Sequence, residues 1–122
     1  MRESEKVVAI LNGKKAAIYC RVDGGGSAET RRQVLEAQRC RLKRRAGERK
    51  IQIAAYYEDN GYSGNDLDRP GLAQLLADHR KGMFDAVLVV NRSRLYRGNS
   101  QGEPQWPFQI DSLNPLEHDM IQ

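Results

Sequence analysis

Three glycines, Gly24–Gly25–Gly26, separate a short apolar run from a helix-like stretch. In α/β folds this is where backbone amides often cradle phosphate. The spacing fits neither a GxGxxG turn nor a Walker loop, and no Lys–Ser/Thr pair follows. Asp23, directly before the glycines, would oppose an anion, so nucleotide binding is set aside. A basic stretch comes next, with nine Lys/Arg against three Glu between Glu29 and Lys50. Its cations Arg31, Arg32, Arg39, Arg41, Lys43, Arg44 and Arg45 suit a phosphate backbone. They equally suit a solvated helix face laced with Glu–Arg pairs, which charge alone favours. Cys20 and Cys40 have neither the number nor the spacing of a zinc site or disulfide framework. No metal and no cofactor is expected.

The elements that must position these residues follow from periodicity. Ala16 to Val22 is a short apolar run ending in a β-branched residue, bounded by Gly13–Lys14–Lys15 and the three glycines, and reads as a buried strand. Ser27 suits the N-cap of the helix that follows, with Glu29 near its positive end. Ala28, Leu35, Leu42 and Ala46 fall on one helical stripe, and Gly47 comes near its end. Ile51, Ile53 and Ala55 alternate with Gln52 and Ala54 as a second strand closing in Tyr56–Tyr57. Pro70 suits the first turn of a second helix, with Leu72, Leu75, Leu76 and His79 on its buried side up to Gly82. Ala86 to Val90 is a third strand. Strand–helix–strand–helix–strand implies an α/β fold, a mainly parallel sheet with right-handed crossovers and helices on its faces.

A chain of 122 residues with net charge +4 is one domain by length. It is too short for this unit plus a separate DNA-reading domain. No apolar run approaches membrane-spanning length, and Val7 to Leu11 is too short for a signal-peptide core. A soluble, cytoplasmic protein with no membrane partner is expected. After Asn99 the character changes. Three of the four prolines follow it, and Gln101 to Gln122 holds four acidic residues and no Lys or Arg. No clean apolar period is visible there, although Trp106, Phe108, Ile110 and Leu113 could fold back over the sheet edge. The expected division is an N-terminal extension over 1–13, a domain over 14–99 and a Pro-containing tail over 100–122.

Five segments carry a resemblance through their order and spacing. They are Ile18–Tyr19–Cys20–Arg21–Val22–Asp23; Leu35–Glu36–Ala37–Gln38; Tyr57–Glu58–Asp59–Asn60–Gly61–Tyr62–Ser63–Gly64; Asp68–Arg69–Pro70–Gly71–Leu72; and Phe84 to Val90 followed by Arg92–Ser93–Arg94–Leu95–Tyr96–Arg97. Together, from Ala16 to Asn99, they resemble the N-terminal catalytic domain of the serine recombinases, the resolvase/invertase and large serine integrase family. The resemblance implies a resolvase-like three-layer α/β/α fold. It also implies site-specific DNA cleavage and strand exchange through a phosphoserine linkage. Family members continue into further α/β units and a long helix that makes the dimer interface and lies along DNA. Nothing after Asn99 resembles these, so the C-terminal part of the domain is expected to be missing or replaced.

By this resemblance Arg21, Arg69, Arg94 and Arg97 form the catalytic cluster. Strand cutting needs a hydroxyl nucleophile and cations to stabilise charge on the phosphoryl oxygens. Arginine donates two hydrogen bonds from a planar fork and stays charged. Gln38, Asp59 and Ser63 match family positions near the active site, and Ser93 stands where many members carry aspartate. Asp23 stands where the family has its nucleophilic serine. A carboxylate would form a hydrolysable acyl phosphate, and its charge would oppose the DNA phosphate by roughly 1–4 kcal/mol in a partly shielded site. Ser27 is read as an N-cap, not a substitute nucleophile. The expectation is a degenerate, inactive recombinase domain, a monomer or weak dimer, binding DNA weakly through phosphate contacts at Arg31, Arg32, Arg39, Arg41, Lys43, Arg44 and Arg45. The alternative is a non-catalytic DNA-binding module or partner of an intact recombinase.

Overall fold

The computed structural model describes residues 15–98 and 102–114. Strand β1 (Lys15–Val22), helix α1 (Ala28–Glu48), β2 (Gln52–Asn60), α2 (Pro70–Arg80) and β3 (Ala86–Val89) follow in turn. A 3-10 turn over Arg92–Arg94 and strand β4 (Gln109–Ser112) complete the order. The strands form one sheet in the order β2-β1-β3-β4, every neighbouring pair parallel. The α/β class and the parallel sheet therefore stand as the sequence implies.

Strand β1 is buried from Ala16 to Arg21, as a central parallel strand with helices on both faces must be. Ala16, Ile18 and Cys20 pack towards Leu35, Leu42 and Ala46 of α1, while Ala17 and Tyr19 pack with Leu72 and Leu75 of α2 and with Phe84. Each fully buried leucine contributes roughly 1.5–3 kcal/mol. The Ser27 side chain caps α1 by accepting from the Thr30 amide at 3.1 Å. The buried stripe of α1 is Leu35, Gln38, Leu42 and Ala46. Ala28, expected on it, is exposed in the first turn.

Two expectations change. Between Ala16 and Ala17 the pairing to β2 shifts, from Ile53 to Ala55, leaving Ala54 as an extra residue. An added residue reverses which face the following side chains occupy. Ile53 therefore packs on the α1 side, whereas Ala55 and Tyr57 pack on the α2 side. Strand β2 also runs past Tyr57 to Asn60, which carries Asp59 to the sheet's carboxyl end.

The second change lies beyond residue 99, where apolar periodicity gives no strand. Residues Gln109–Ser112 pair with Ala86–Val89 as the fourth strand, so this segment joins the sheet rather than only covering its edge. Phe108 is buried with Phe84 and Leu95, and Trp106 and Ile110 pack against the same cluster. Asp111 fastens β4 to α1 by accepting from Arg45 and Arg49, with ion-pair distances of 3.2 Å to each. No helix among the described residues is long and apolar enough to cross a membrane. No group of three or more His, Cys, Asp or Glu among them is arranged to hold a metal ion.

Candidate functional site

The site lies where β1 and β3 end, at the carboxyl edge of the sheet, the position at which open α/β sheets bind ligands. Arg21 points along the α2 face and is 0% exposed. Its guanidinium donates to three backbone carbonyls: Nε to Arg94 at 2.9 Å, Nη1 to Tyr62 at 2.8 Å and Nη2 to Ser93 at 2.9 Å. Nη1 also pairs with Asp23 Oδ1. The second oxygen of Asp23 accepts from Arg97 Nη1 at 3.0 Å. One half-exposed carboxylate thus bridges two guanidinium groups. Partial burial pushes the Asp23 carboxyl up, but the hydrogen bond and charge of Arg21, with those of Arg97, outweigh it and hold the group below the ordinary carboxylate value.

Arg69 is also fully buried. It donates from Nη1 to the Tyr19 hydroxyl at 3.1 Å and the Arg94 carbonyl at 3.0 Å, and from Nη2 to the Leu95 carbonyl. Burial pulls its guanidinium below the ordinary arginine value, with the charge of Arg21 acting the same way and Tyr19 and Asp59 opposing. Arg94 Nη1 donates to the Arg21 carbonyl at 3.1 Å. The four arginines expected around one phosphate therefore form one connected network, but in two layers. Arg21 and Arg69 spend donors on the carbonyls of residues 93–95 and hold that turn against β1. Arg94 is half-buried at the rim, and Arg97 is exposed.

Asp59 explains how Arg69 comes to be placed. The α2 N-cap, Arg69, offers no capping side chain. Asp59 does that work from β2, accepting from the amides of Gly71 at 2.7 Å and Leu72 at 2.9 Å. A carboxylate at a helix N-terminus satisfies orphan donors and meets the positive end of the dipole. The Tyr19 hydroxyl adds a 2.6 Å hydrogen bond to the same carboxylate. Gln38 acts from the other face. Its amide accepts from the Arg21 amide at 3.2 Å and donates to the Arg21 carbonyl at 2.9 Å. Pairing of β1 to β3 stops at Ile18, so Gln38 serves backbone groups the sheet leaves open.

Ser63 is exposed, and its hydroxyl accepts from the Asn65 amide at 3.1 Å, which makes it a turn residue here. Ser93 donates its hydroxyl to Asn91 and reaches Arg21 through its carbonyl. Sequence reasoning missed Tyr19, Tyr62 and Gly64 as parts of the site. A Cβ on Gly64 would stand 2.7 Å from Arg21 Nη2 and 2.9 Å from the Cβ of Arg97, so only glycine fits between them without displacement. For Tyr19 the available signal was its place two residues before Arg21 on the same strand face.

The basic stretch does not form one free face. Arg31 donates to Asn60 and to the carbonyls of Gly24 and Gly26, bracing the glycine loop. Arg32 pairs with Glu58 at 3.1 Å, Arg39 lies 4.4 Å from the Tyr56 ring centroid, and Arg45 belongs to Asp111. Arg41, Lys43 and Arg44 are exposed. Cys20 is inert by environment, because burial pushes its thiol up to about 12.

Residues 16–102 match the family model described as the resolvase N-terminal domain. No curated protein matches the chain. Among solved structures it is similar to the N-terminal catalytic domain of TP901-1 integrase, with 38% identity, a TM-score of 0.59 and coverage of 70% of this chain and 60% of that one. It thus spans less than two thirds of that domain. The C-terminal catalytic domain of IS1535 TnpA, an IS607-like serine recombinase, is 28% identical with a TM-score of 0.57, covering 79% of this chain and 68% of that one. That of ISC1926 TnpA shares the fold at 24% identity, with a TM-score of 0.68 over 84% of this chain and 69% of that one. With most of its length inside the family model and its parallel sheet matched in these domains, the chain belongs to the resolvase N-terminal domain family and has the fold of a serine recombinase catalytic domain.

Proposed function

We propose that this chain is a serine-recombinase catalytic domain that grips DNA phosphates without cutting them. The observation that carries the reading is Asp23. It stands where the resemblance puts the nucleophilic serine, and its carboxylate lies between Arg21 and Arg97. Attack by a carboxylate would expel a strand hydroxyl and leave an acyl phosphate, which water hydrolyses and which cannot support conservative rejoining. The arginine network remains able to meet a phosphate at its rim, through Arg94 and Arg97, with Arg41, Lys43 and Arg44 as a second set of exposed cations. On this reading residues 14–99 carry the recombinase-derived part, and the protein works in the cytoplasm on DNA as a monomer or weak dimer.

Incubation with duplex DNA, followed by denaturing electrophoresis and by titration at several salt concentrations, tests this. No covalent protein–DNA product should form. Affinity should fall with salt at a log–log slope of about −0.9 per phosphate contacted. A covalent adduct would refute the loss of cutting, and salt-insensitive binding or none would refute the phosphate grip.

A further inference from the structure

Asp23 does more than lack a hydroxyl. We infer that it is a built-in phosphate surrogate, whose carboxylate occupies the anion site between Arg21 and Arg97 so that a phosphate enters only by displacing it. The inference rests on the phosphate-gripping reading for its DNA consequence, while self-occupancy of the site stands on geometry alone.

Each Asp23 oxygen meets a different guanidinium, Oδ1 at Arg21 and Oδ2 at Arg97. Guanidinium N–H groups donate to carboxylate and phosphate oxygens alike, so the two donors that hold Asp23 are ones a phosphate could take in its place. Arg21 cannot turn elsewhere. It is fully buried, and its remaining contacts hold the carbonyls of Tyr62, Ser93 and Arg94. Its Nη1 is divided between the Tyr62 carbonyl and Asp23. The surrogate is within reach of a competing anion: its side chain is 43% exposed, and the chain beyond it is glycine at three successive positions. A Cβ on Gly25 would meet nothing within 4 Å, so that position borders open space, whereas Gly24 lies against Gly61. Arg31 braces its flanks through the carbonyls of Gly24 and Gly26 and leaves the Asp23 side chain out of that contact.

A tethered anion has an effective concentration on the order of millimolar or above. Free phosphate below that level therefore competes poorly with Asp23. A DNA backbone competes better because its other phosphates meet other cations. The site is thus held shut against small anions and opens to a polyanion.

The experiment measures thermal stability against inorganic phosphate at constant ionic strength for the wild type, Asp23→Asn, Asp23→Ser and the double variant Asp23→Asn/Arg97→Gln. Circular dichroism establishes that each is folded, and the two Asp23 variants guard against one failing to fold. Both should gain stability saturably with millimolar phosphate. The wild type should need at least about tenfold more, and the Arg97 change should abolish the response. Two results would overturn the inference: Asp23 variants as unresponsive as the wild type, or a wild type as responsive as the variants. The readout uses no DNA. Phosphate binding by Asp23→Asn in a protein that ignores duplex DNA would reject the DNA reading and leave the surrogate intact.

Discussion

The Tyr19 hydroxyl and the Asp59 carboxylate meet at 2.6 Å in the interior, on neighbouring strands and on the face covered by α2. This contact lies behind the exposed site. Asp59 caps α2 at Gly71 and Leu72, and Tyr19 accepts from Arg69, the residue just before that helix. Arg69 in turn holds the carbonyls of Arg94 and Leu95. A buried acid, a phenol and a guanidinium therefore carry the position of β2 to the turn that presents Arg94 and Arg97.

Replacing Asp59→Asn should destabilise the domain by about 1–3 kcal/mol, and Tyr19→Phe by about 1 kcal/mol. The double variant should lose less than the sum, because both side chains serve one network. Urea denaturation of the four proteins completes the cycle. Strict additivity would show that the two residues act separately.

Much of this framework is legible in sequence, because β1 is short and apolar, Leu35, Leu42 and Ala46 repeat at helical spacing, and Pro70 marks a helix start. The resemblance also names the arginines. It does not reveal their depth, since an arginine reads as surface unless its carbonyl partners are known, and those of Arg21 lie 41 to 73 residues away. The same holds for Arg32 and Arg45, whose acidic partners stand 26 and 66 residues on. The pairing shift at Ala54 is hidden because Ile53 and Ala55 are both apolar. Strand β4 is hidden because its four residues place Asp111 against α1, where alternation calls for a hydrophobe.

Gly64→Ala should open the arginine network. Its Cβ would press on Arg21 Nη2 and the Cβ of Arg97, and Arg21 is anchored by its carbonyl contacts. A loss of about 1–3 kcal/mol is expected, as for overpacking elsewhere. Gly71→Ala should cost at least as much, because there the added carbon meets the backbone oxygen of Glu58, which cannot swing aside. Denaturation midpoints check both, and a neutral Gly64→Ala would mean that Tyr62 to Gly64 does not close over Arg21.

Asp111→Asn should loosen β4. Removing the charge leaves Arg45 and Arg49 half-buried beside a weaker acceptor, at about 1–3 kcal/mol. The sole tryptophan reports it, since Trp106 stacks on Phe108 with ring centroids 5.7 Å apart just before β4. Its fluorescence should shift towards the solvated value before global unfolding. Amide exchange in residues 109–112 should quicken while that of β1 stays slow. Equal protection in both strands would mean that β4 is held by its ladder alone.

Asp23 sets an acid limit on the stability of the site. Its folded pKa is depressed below the unfolded value of about 3.9, so its contribution is fully present above that value and is lost as pH falls through the folded one. Asp23 and Arg97 are half-exposed, so solvent screening limits the contribution to roughly 0.2–1 kcal/mol. The difference in stability between wild type and Asp23→Asn should therefore be constant from neutrality to about pH 5, shrink below about pH 4 and vanish below the folded pKa. Added salt should reduce it at every pH where it exists, because Asp23 and Arg97 both reach solvent. Comparing the two proteins at each pH cancels the contribution of every group that both retain. Chemical denaturation from pH 7 to pH 3 measures the difference directly. A difference that grows on acidification would have the opposite sign to a depressed carboxyl. It would mean that Asp23 is destabilised by its neighbours and is not held between Arg21 and Arg97.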